Sequence, residues 1–179
     1  MPVAGPAAHS VADLIAEMRK VGASVKWVET RNLHLTLKFL GDLPLSRIPA
    51  LAGAVRKAVE GDAKFEMTLQ GAGAFPDVAR ARTLWVGVDR GAQRLAGLAE
   101  AVDRATVDAG FAPADKAFRP HLTIGRARER SAGAGISRII SENADIYLGA
   151  VDVKAIHICS SKLTPSGPIY TSLAEIPLE

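Results

Sequence analysis

The sequence predicts an α+β fold built mostly from antiparallel sheets, in a single domain over residues 1–179. Helical and extended segments interleave, but several extended segments follow one another without a helix between them, which favours hairpins over parallel crossovers. The chain has no low-complexity tract and no linker long enough to separate independent domains. A hydrophobic fraction of 48% and a charged fraction of 23% are typical of a globular protein.

The chain is predicted to begin with a helix and two strands. Apolar residues at helical spacing predict a helix over residues 11–18, with Ser10 as its N-cap and Gly22 as its stop. A short strand follows over residues 24–29, and alternation of polar and apolar side chains predicts a second strand over residues 32–41. The remaining predicted elements are a helix over 45–61, a strand over 64–75 that breaks at Gly71 and Gly73, a strand over 79–88, a helix over 92–110, a strand over 117–129, a short helix within 131–146, a long strand region over 147–163, and a last strand within 164–179.

Composition and charge limit the classes of function. Cys159 is the only cysteine, so an intramolecular disulfide is excluded and a reducing cytoplasm is the expected location. No apolar run approaches the roughly 18 residues of a membrane span, and the N-terminus lacks the pattern of a secretory signal peptide. The net charge of +3 is compatible with a polyanionic partner such as nucleic acid, and equally with simple solubility.

A tripeptide occurs twice and carries the main functional signal. His-Leu-Thr stands at residues 34–36 and again at residues 121–123, so the two histidines lie 87 residues apart (121 − 34), close to half the chain. Each half also carries a helix and a strand. This coarse repeat suggests two similar lobes that face each other, although two copies do not make a solenoid.

Alternation predicts which side chains share a face with each histidine. In the first copy one face holds the polar side chains, namely Asn32, His34, Thr36 and Lys38, and the core face holds Leu33, Leu35, Leu37 and Phe39. In the second copy Arg119, His121 and Thr123 share a face. Strict alternation places Arg126 on the opposite, apolar face. It reaches the face of His121 only if it lies past a bulge or beyond the strand end, and Gly125 makes either arrangement plausible.

Two imidazoles and two hydroxyls around one point suit phosphodiester chemistry. Each imidazole titrates near neutrality, so one can be protonated while the other is neutral. Thr36 and Thr123 supply hydrogen-bond donors for the non-bridging phosphate oxygens. One histidine activates water and the other protonates the leaving oxygen, with no metal required. The residues alone leave open which histidine takes which role.

Other interpretations compete with this one. A single histidine on a strand is usually a surface or hydrogen-bonded residue, and we expect no role for His9 and a packing role for His157. The aromatic residues Trp27, Phe75 and Trp85 are expected in the core rather than as stacking platforms. The arginine-rich stretch over residues 126–130 is either a solvated loop or a contact for RNA backbone.

Other site chemistries are poorly supported. His34 and His121 have no further ligand at a spacing typical of zinc sites, so no metal site is predicted. A serine or cysteine nucleophile lacks its sequence context, and no phosphate-binding loop or dinucleotide fingerprint is present.

The chain resembles the two-histidine phosphoesterases, in particular the bacterial and archaeal RNA 2′,3′-cyclic phosphodiesterases once described as 2′-5′ RNA ligases. The matching segments extend from about Ala12 to the C-terminus and are "VKWVETRNLHLTLKFLGD", "GAFPDVARARTLWVGV", "FRPHLTIGR" and "KLTPSGPIYTSLAEIPL". The resemblance implies a bilobal fold with both motifs in a central cleft and the helices outside. It implies hydrolysis of RNA 2′,3′-cyclic phosphate ends to 2′-phosphate ends, without a cofactor, and raises the question of reversible 2′-5′ ligation.

The resemblance also implies roles for individual residues. His34 would protonate the leaving 3′ oxygen and His121 would activate water. Thr36 and Thr123 would hold the phosphate, and Arg126 matches a family arginine that helps to bind it. The expected partner is RNA with a 2′,3′-cyclic phosphate end, with tRNA fragments among the candidates, and we expect a monomer that does not bind membranes.

One departure from the family pattern affects the N-terminus. Family members usually begin with a short apolar strand of the "RLFIAI" kind, and "MPVAGPAA" stands in its place, so this strand is predicted to be missing. An exposed, unpaired edge is then expected. An RNA-end binding module, with catalysis weakened by the missing strand, is therefore one alternative function. A phosphodiesterase for small cyclic nucleotides, which would not need the arginine-rich stretch over residues 126–130, is another.

Overall fold

The structure, a computed structural model, describes residues 1–129, 132–164 and 167–179. It is α+β, as predicted. Its described helices are α1 (Gly5–Arg19), α2 (Ile48–Ala58), α3 (Ala92–Asp108) and α4 (Ala134–Glu142). Its described strands are β1 (Val25–Trp27), β2 (Phe65–Phe75), β3 (Thr83–Val88), β4 (His121–Ala127), β5 (Tyr147–Val153), β6 (Ala155–Thr164) and β7 (Gly167–Pro177).

The strands form two sheets, both antiparallel as the sequence predicted. The larger sheet has five strands in the order β1-β4-β3-β2-β5, and the smaller one is the β6–β7 hairpin. Helix α1 packs on β5, α4 on β2 and α2 on α3. Within the part of the chain that the structure describes, no helix is long and apolar enough to cross a membrane.

The hydrophobic core includes one face of β3 and β4 and the apolar residues of the first motif. Leu122 of β4 and its cross-strand partner Val86 of β3 are both fully buried. Leu33 and Leu35, beside the first histidine, are buried in the same core. Burying a large apolar side chain contributes roughly 1.5–3 kcal/mol. The buried leucines of the two motif copies therefore fix which side of the backbone the histidines face.

The first motif differs from its prediction, because residues 32–41 do not form a regular strand. A 3-10 turn at Thr30–Asn32 precedes the motif, and its pairing consists of two isolated antiparallel bridges, Pro2 with His34 and Leu35 with Leu122. The predicted inward position of Phe39 is wrong, since that side chain is 79% exposed. The alternation of buried and exposed side chains ends after Leu35, the last residue of this segment that forms a bridge.

Three further elements differ from prediction at their ends or joints. Helix α1 begins at Gly5, so Ser10 is not its N-cap but an internal residue whose hydroxyl donates to the carbonyl of Pro6. The strand over 64–75 does not break at its glycines: Gly71 adopts φ of +75° and forms a bulge within a continuous β2. The long region over 147–163 contains two strands, which separate at Lys154 and pair in different sheets.

The residues before α1 pair with the first motif. Val3 donates its backbone N–H to the carbonyl of Leu33, and Leu35 donates to the carbonyl of Met1, both at 2.9 Å. The backbone of residues 33–35 is therefore flanked by residues 1–3 as well as by β4. The expected unpaired edge at this position is occupied by the N-terminal segment.

Candidate active site

The two His-Leu-Thr copies lie side by side and run in opposite directions. The bridge between Leu35 and Leu122 is antiparallel and joins the central residues of the two copies. Residues that flank such a bridge oppose each other, so His34 lies beside Thr123 and Thr36 beside His121. Because both leucines are buried, the two histidines and the two threonines share the opposite face. The arrangement brings together the four residues that the sequence analysis grouped.

A bulge in β4 brings Arg126 to the same face. Thr123 pairs with Trp85 of β3 but Gly125 pairs with Leu84, so one residue of β4 is left over between them. Arg126 then pairs with Thr83, two residues from Trp85 and therefore on its face. The Arg126 guanidinium donates to the Thr83 hydroxyl at 3.1 Å. Of the two routes that the sequence analysis allowed for Arg126, a bulge or a position beyond the strand end, the structure shows the bulge. Arg130 lies outside the described residues.

Both imidazoles are held in the same way. The Nδ1 atom of His34 lies 2.7 Å from the carbonyl oxygen of Asn32, and Nδ1 of His121 lies 2.6 Å from that of Arg119. A carbonyl oxygen only accepts, so Nδ1 carries the proton in each ring. The Nε2 atom is then the nitrogen of each ring that is left to gain or lose a proton. The sequence analysis missed these contacts, although the carbonyl in each case belongs to the residue two before the histidine.

Each histidine also has one aromatic neighbour. The ring of Tyr170, on β7, lies edge-on to His34 with centroids 4.6 Å apart. The ring of Phe75, on β2, lies perpendicular to His121 at 5.1 Å and contacts Trp85 at 5.3 Å. The prediction that Phe75 and Trp85 are core residues is wrong, because both are half-buried, border the site and lie outside the hydrophobic core. Tyr170 was not singled out by the sequence analysis, and only its place in the matching C-terminal segment pointed to it.

Trp85 lies across the sheet next to the second threonine. Directly paired residues share a face, and Trp85 pairs with Thr123 on one side and with Gly73 on the other. A Cβ atom at Gly73 would stand 2.1 Å from the Trp85 ring. Glycine at this position therefore lets the indole cover β2 beside the site.

The two histidines differ in their electrostatic surroundings. Burial lowers the pKa of His34 below its usual value, and the hydrogen bond to the Asn32 carbonyl opposes this effect. The hydrogen bond of His121 is solvent-exposed, whereas that of His34 is partly buried. The two histidines therefore make equivalent hydrogen bonds, but these hydrogen bonds differ in their exposure to water.

Lys38 does not face the site, contrary to the alternation argument. Its ammonium group forms an ion pair with Asp103 at 2.7 Å and donates to the Thr106 hydroxyl at 2.8 Å, both on α3. The hydrogen bond from Lys38 is the main reason that the pKa of Asp103 is held below its usual range. Lys38 therefore ties the segment after the first motif to α3.

The other histidines lie outside the site. His9 is exposed on α1, and His157 on β6 packs beside Glu175, with Nδ1 3.9 Å from a carboxylate oxygen. In residues 1–129, 132–164 and 167–179, no group of three or more His, Cys, Asp or Glu side chains is placed to hold a metal ion.

The fold and the paired motif together define the class of protein. The profile of the 2′-5′ RNA ligase superfamily matches residues 6–163. The RNA 2′,3′-cyclic phosphodiesterase of Methanothermobacter thermautotrophicus is 34% identical over 156 residues, which cover 87% of this chain and 84% of that protein. The chain belongs to the 2′-5′ RNA ligase superfamily.

Solved structures agree with this assignment. TT0787 of Thermus thermophilus superposes with a TM-score of 0.75 at 26% identity, covering 95% of this chain and 92% of that one. The apo form of Escherichia coli LigT superposes with a TM-score of 0.77 at 22% identity, covering 99% and 94%, which supports the fold alone. The predicted fold class, that of the two-histidine phosphoesterases, is confirmed.

Proposed function

We propose that this chain is an RNA 2′,3′-cyclic phosphodiesterase that converts cyclic phosphate ends to 2′-phosphate ends by acid–base catalysis of His34 and His121. The observation that carries the proposal is the antiparallel bridge of the two motifs, in which both Nδ1 atoms are bound to backbone carbonyls. Curated relatives with 34% identity bear the name of this activity. The reaction as proposed needs no metal ion or cofactor from the protein.

The proposed displacement proceeds in one step at phosphorus. His121 accepts a proton from water on Nε2 while the water oxygen bonds to phosphorus. The bond between phosphorus and the 3′ oxygen breaks, and His34 donates the Nε2 proton to that oxygen, giving a 3′-hydroxyl and a 2′-phosphate. With the 5′-hydroxyl of another RNA in place of water, the same displacement forms a 2′-5′ linkage, and its reversal regenerates the cyclic phosphate.

The remaining residues bind the phosphate in this proposal. Thr36 and Thr123 stand beside the histidine of the other copy, so one hydroxyl approaches the phosphate from each motif. Arg126 lies one row further along the β4 face, and its contact with Thr83 is with a neutral hydroxyl, so its charge can pair with an anion bound there. These groups stabilise the charge that grows on the non-bridging oxygens.

The lowered pKa of His34 has a consequence for its proposed role as the acid. In the free protein a larger fraction of His34 is neutral near pH 7 than for an unperturbed histidine. The negative charge of a bound phosphodiester favours the imidazolium and opposes the effect of burial. Substrate binding is therefore expected to protonate the acid.

The test uses an RNA oligonucleotide that ends in a 2′,3′-cyclic phosphate, incubated with the purified protein in EDTA. We expect conversion to a 2′-phosphate end, and its loss by at least about a hundredfold in His34→Ala and in His121→Ala. His157→Ala is the matched control, because His157 lies outside the site, and it should retain activity. Absence of conversion by folded wild type, or full activity in either site variant, would contradict the proposal.

One further substrate and one binding measurement separate the alternatives. Turnover of a nucleoside 2′,3′-cyclic monophosphate without turnover of the oligonucleotide would indicate a small cyclic nucleotide phosphodiesterase. Tight, salt-dependent binding of the oligonucleotide without turnover of either substrate would indicate a binding module.

A further inference from the structure

Three basic side chains lie together where β4 leaves the site. Lys26 of β1 pairs with Arg126 of β4, so the two side chains share a face of the sheet. The backbone N–H of Arg128 donates to the carbonyl of Ser24 at 2.9 Å, which continues the same pairing by two residues and keeps Arg128 on this face. Because the bulge of β4 puts Arg126 on the face of the two histidines, Lys26, Arg126 and Arg128 form a basic cluster on that face.

The charges of the basic cluster are not neutralised by acidic side chains. Within residues 1–129, 132–164 and 167–179, the side chains of Lys26 and Arg128 form no ion pair and no hydrogen bond, and Arg126 contacts the neutral hydroxyl of Thr83. All three side chains of the cluster are exposed. Like charges grouped on one face repel one another, and a bound polyanion removes this repulsion. The cluster is therefore suited to an anionic chain.

The basic cluster lies at the His34 end of the site. The two motif copies are antiparallel, so His34 lies beside Thr123, and Arg126 follows Thr123 along β4. In the proposed reaction His34 protonates the 3′ oxygen of the terminal ribose, which places that ribose on the His34 side. The rest of the RNA is joined to the 5′ carbon of the same ribose. Its backbone phosphates therefore leave the site on the side of the basic cluster.

The β6–β7 hairpin, which also borders His34, offers no comparable charge. The lysine among its described residues is Lys162, which pairs with Ile169. Tyr170 contacts the His34 ring and pairs with Ser161, one position away. Successive residues of a strand point to opposite faces, so Lys162 points away from His34. Charge thus favours the path along β4 and β1 over a path along the hairpin.

We propose that the basic cluster binds the backbone phosphates that lie 5′ of the cyclic phosphate, with Arg126 nearest the reacting phosphorus and Lys26 and Arg128 on the next two linkages. This inference rests on the proposed function. Residues two apart on a strand are roughly 7 Å apart, and paired residues are about 5 Å apart, so one extended RNA strand can contact all three side chains. Phosphate contacts position a nucleic acid without reading its bases. The cluster therefore favours an RNA chain over a mononucleotide, whatever its sequence.

The experiment removes charge from the RNA backbone. Two RNAs end in the same cyclic phosphate and differ only in the two linkages 5′ of it, which are phosphates in one and uncharged methylphosphonates in the other. We measure KM for these RNAs and Kd for their 2′-phosphate forms. Wild type should prefer the charged RNA by about tenfold, since each exposed charge pair contributes up to about fivefold. The double variant Lys26→Gln with Arg128→Gln should reduce this ratio to near one.

A control variant and the salt dependence exclude an effect of net charge. Arg56→Gln with Lys57→Gln removes the same two charges from the exposed last turn of α2 and should keep the wild-type ratio. On single strands each phosphate contact contributes about 0.7 to the slope of log Kd against log salt concentration. The slope should therefore fall by about 1.4 in the Lys26→Gln, Arg128→Gln variant and stay unchanged in the control.

The outcomes separate the two proposals. If wild type turns over both RNAs but the double variant of the cluster keeps the wild-type ratio and slope, the basic cluster is refuted and the proposed function stands. An equal loss in the α2 control would also refute the cluster, because net charge would explain it. If wild type turns over neither RNA, the proposed function fails. The Kd ratios then decide the cluster separately: a ratio that only the cluster variant abolishes supports it, and equal ratios in all three proteins refute it.

Discussion

The ion pair between Lys38 and Asp103 offers a quantitative test of how the first motif is held in place. Regular strand pairing is absent from residues 36–41, so the connection of Lys38 to α3 is the main polar anchor described for this stretch. The perturbation is Lys38→Met, which removes the charge and both contacts but keeps most of the aliphatic stem. We expect a loss of stability and, because Thr36 is two residues away, a loss of activity.

The burial of the two partners sets the magnitude. Breaking a fully buried ion pair by removing one partner costs about 3–5 kcal/mol, whereas an exposed pair contributes about 0–1 kcal/mol. The Lys38 side chain is 3% exposed and that of Asp103 is 32% exposed. Water can therefore solvate part of the Asp103 carboxylate once Lys38 is gone. An intermediate loss of about 2 kcal/mol in the free energy of unfolding is expected.

Urea unfolding followed by tryptophan fluorescence measures this loss. With a slope of about 2 kcal/mol per molar urea, the midpoint should fall by about 1 M. Lys20→Met is the matched control, since Lys20 pairs with Glu17 on the surface, and it should change stability by less than about 0.5 kcal/mol. A double-mutant cycle with Asp103→Asn should give a coupling energy of at least about 1 kcal/mol.

Two results would refute this reasoning. If Lys38→Met unfolds with a free energy within about 0.5 kcal/mol of wild type, the buried pair adds no more than a surface pair. If stability falls but kcat/KM on the cyclic-phosphate RNA does not, the segment after the first motif is held by its leucines alone. The second result would leave the ion pair as a feature of α3 packing.

Three further predictions concern the site itself. NMR titration of the free protein should give His34 a pKa below 6.5. As the pH falls below 6.5, the unfolded chain binds this proton more readily than the folded protein, so wild type should lose stability relative to His34→Gln. Gly73→Ala should shift the fluorescence of Trp85 and lower the free energy of unfolding by about 1–3 kcal/mol through overpacking. Gly53→Ala is the control, since a Cβ atom there stands in open space on α2, and it should leave the fluorescence unchanged. Equal spectra for the two variants would contradict the close approach of the Trp85 ring to Gly73. Arg126→Gln should raise KM for the cyclic-phosphate RNA by about tenfold or more, and an unchanged KM would remove Arg126 from the phosphate site.

The sequence predicted those features that depend on side-chain periodicity. Buried Leu33 and Leu35 alternate with polar neighbours, and this pattern correctly placed His34 and Thr36 on the opposite face. It also showed that Arg126 needs a bulge or a position beyond the strand end to reach that face, and β4 has the bulge.

Features that depend on contacts between distant segments were not predictable in this way. Alternation predicts that Lys38 lies on the same face as His34, but its ammonium group instead contacts Asp103 and Thr106 on α3. Alternation predicts that Phe39 is buried in the core, but it is exposed because no strand extends to this residue. Tyr170 reaches His34 only because β7 pairs with β6 next to the motif, and no pattern within residues 167–179 indicates this.

The two motif copies reach one geometry from different local structures, and this bears on how the histidines divide their roles. His121 stands at the start of a regular strand, whereas His34 is held by isolated bridges, yet both Nδ1 atoms bind the carbonyl two residues earlier. Hydrogen bonding of this kind orients the two rings alike and so does not distinguish an acid from a base. What differs is that burial lowers the pKa of His34, and that the hydrogen bond of His34 is partly buried whereas that of His121 is exposed. The assignment of His121 as the base and His34 as the acid in the proposed function therefore rests on the resemblance to the family and not on the hydrogen bonds of the two rings.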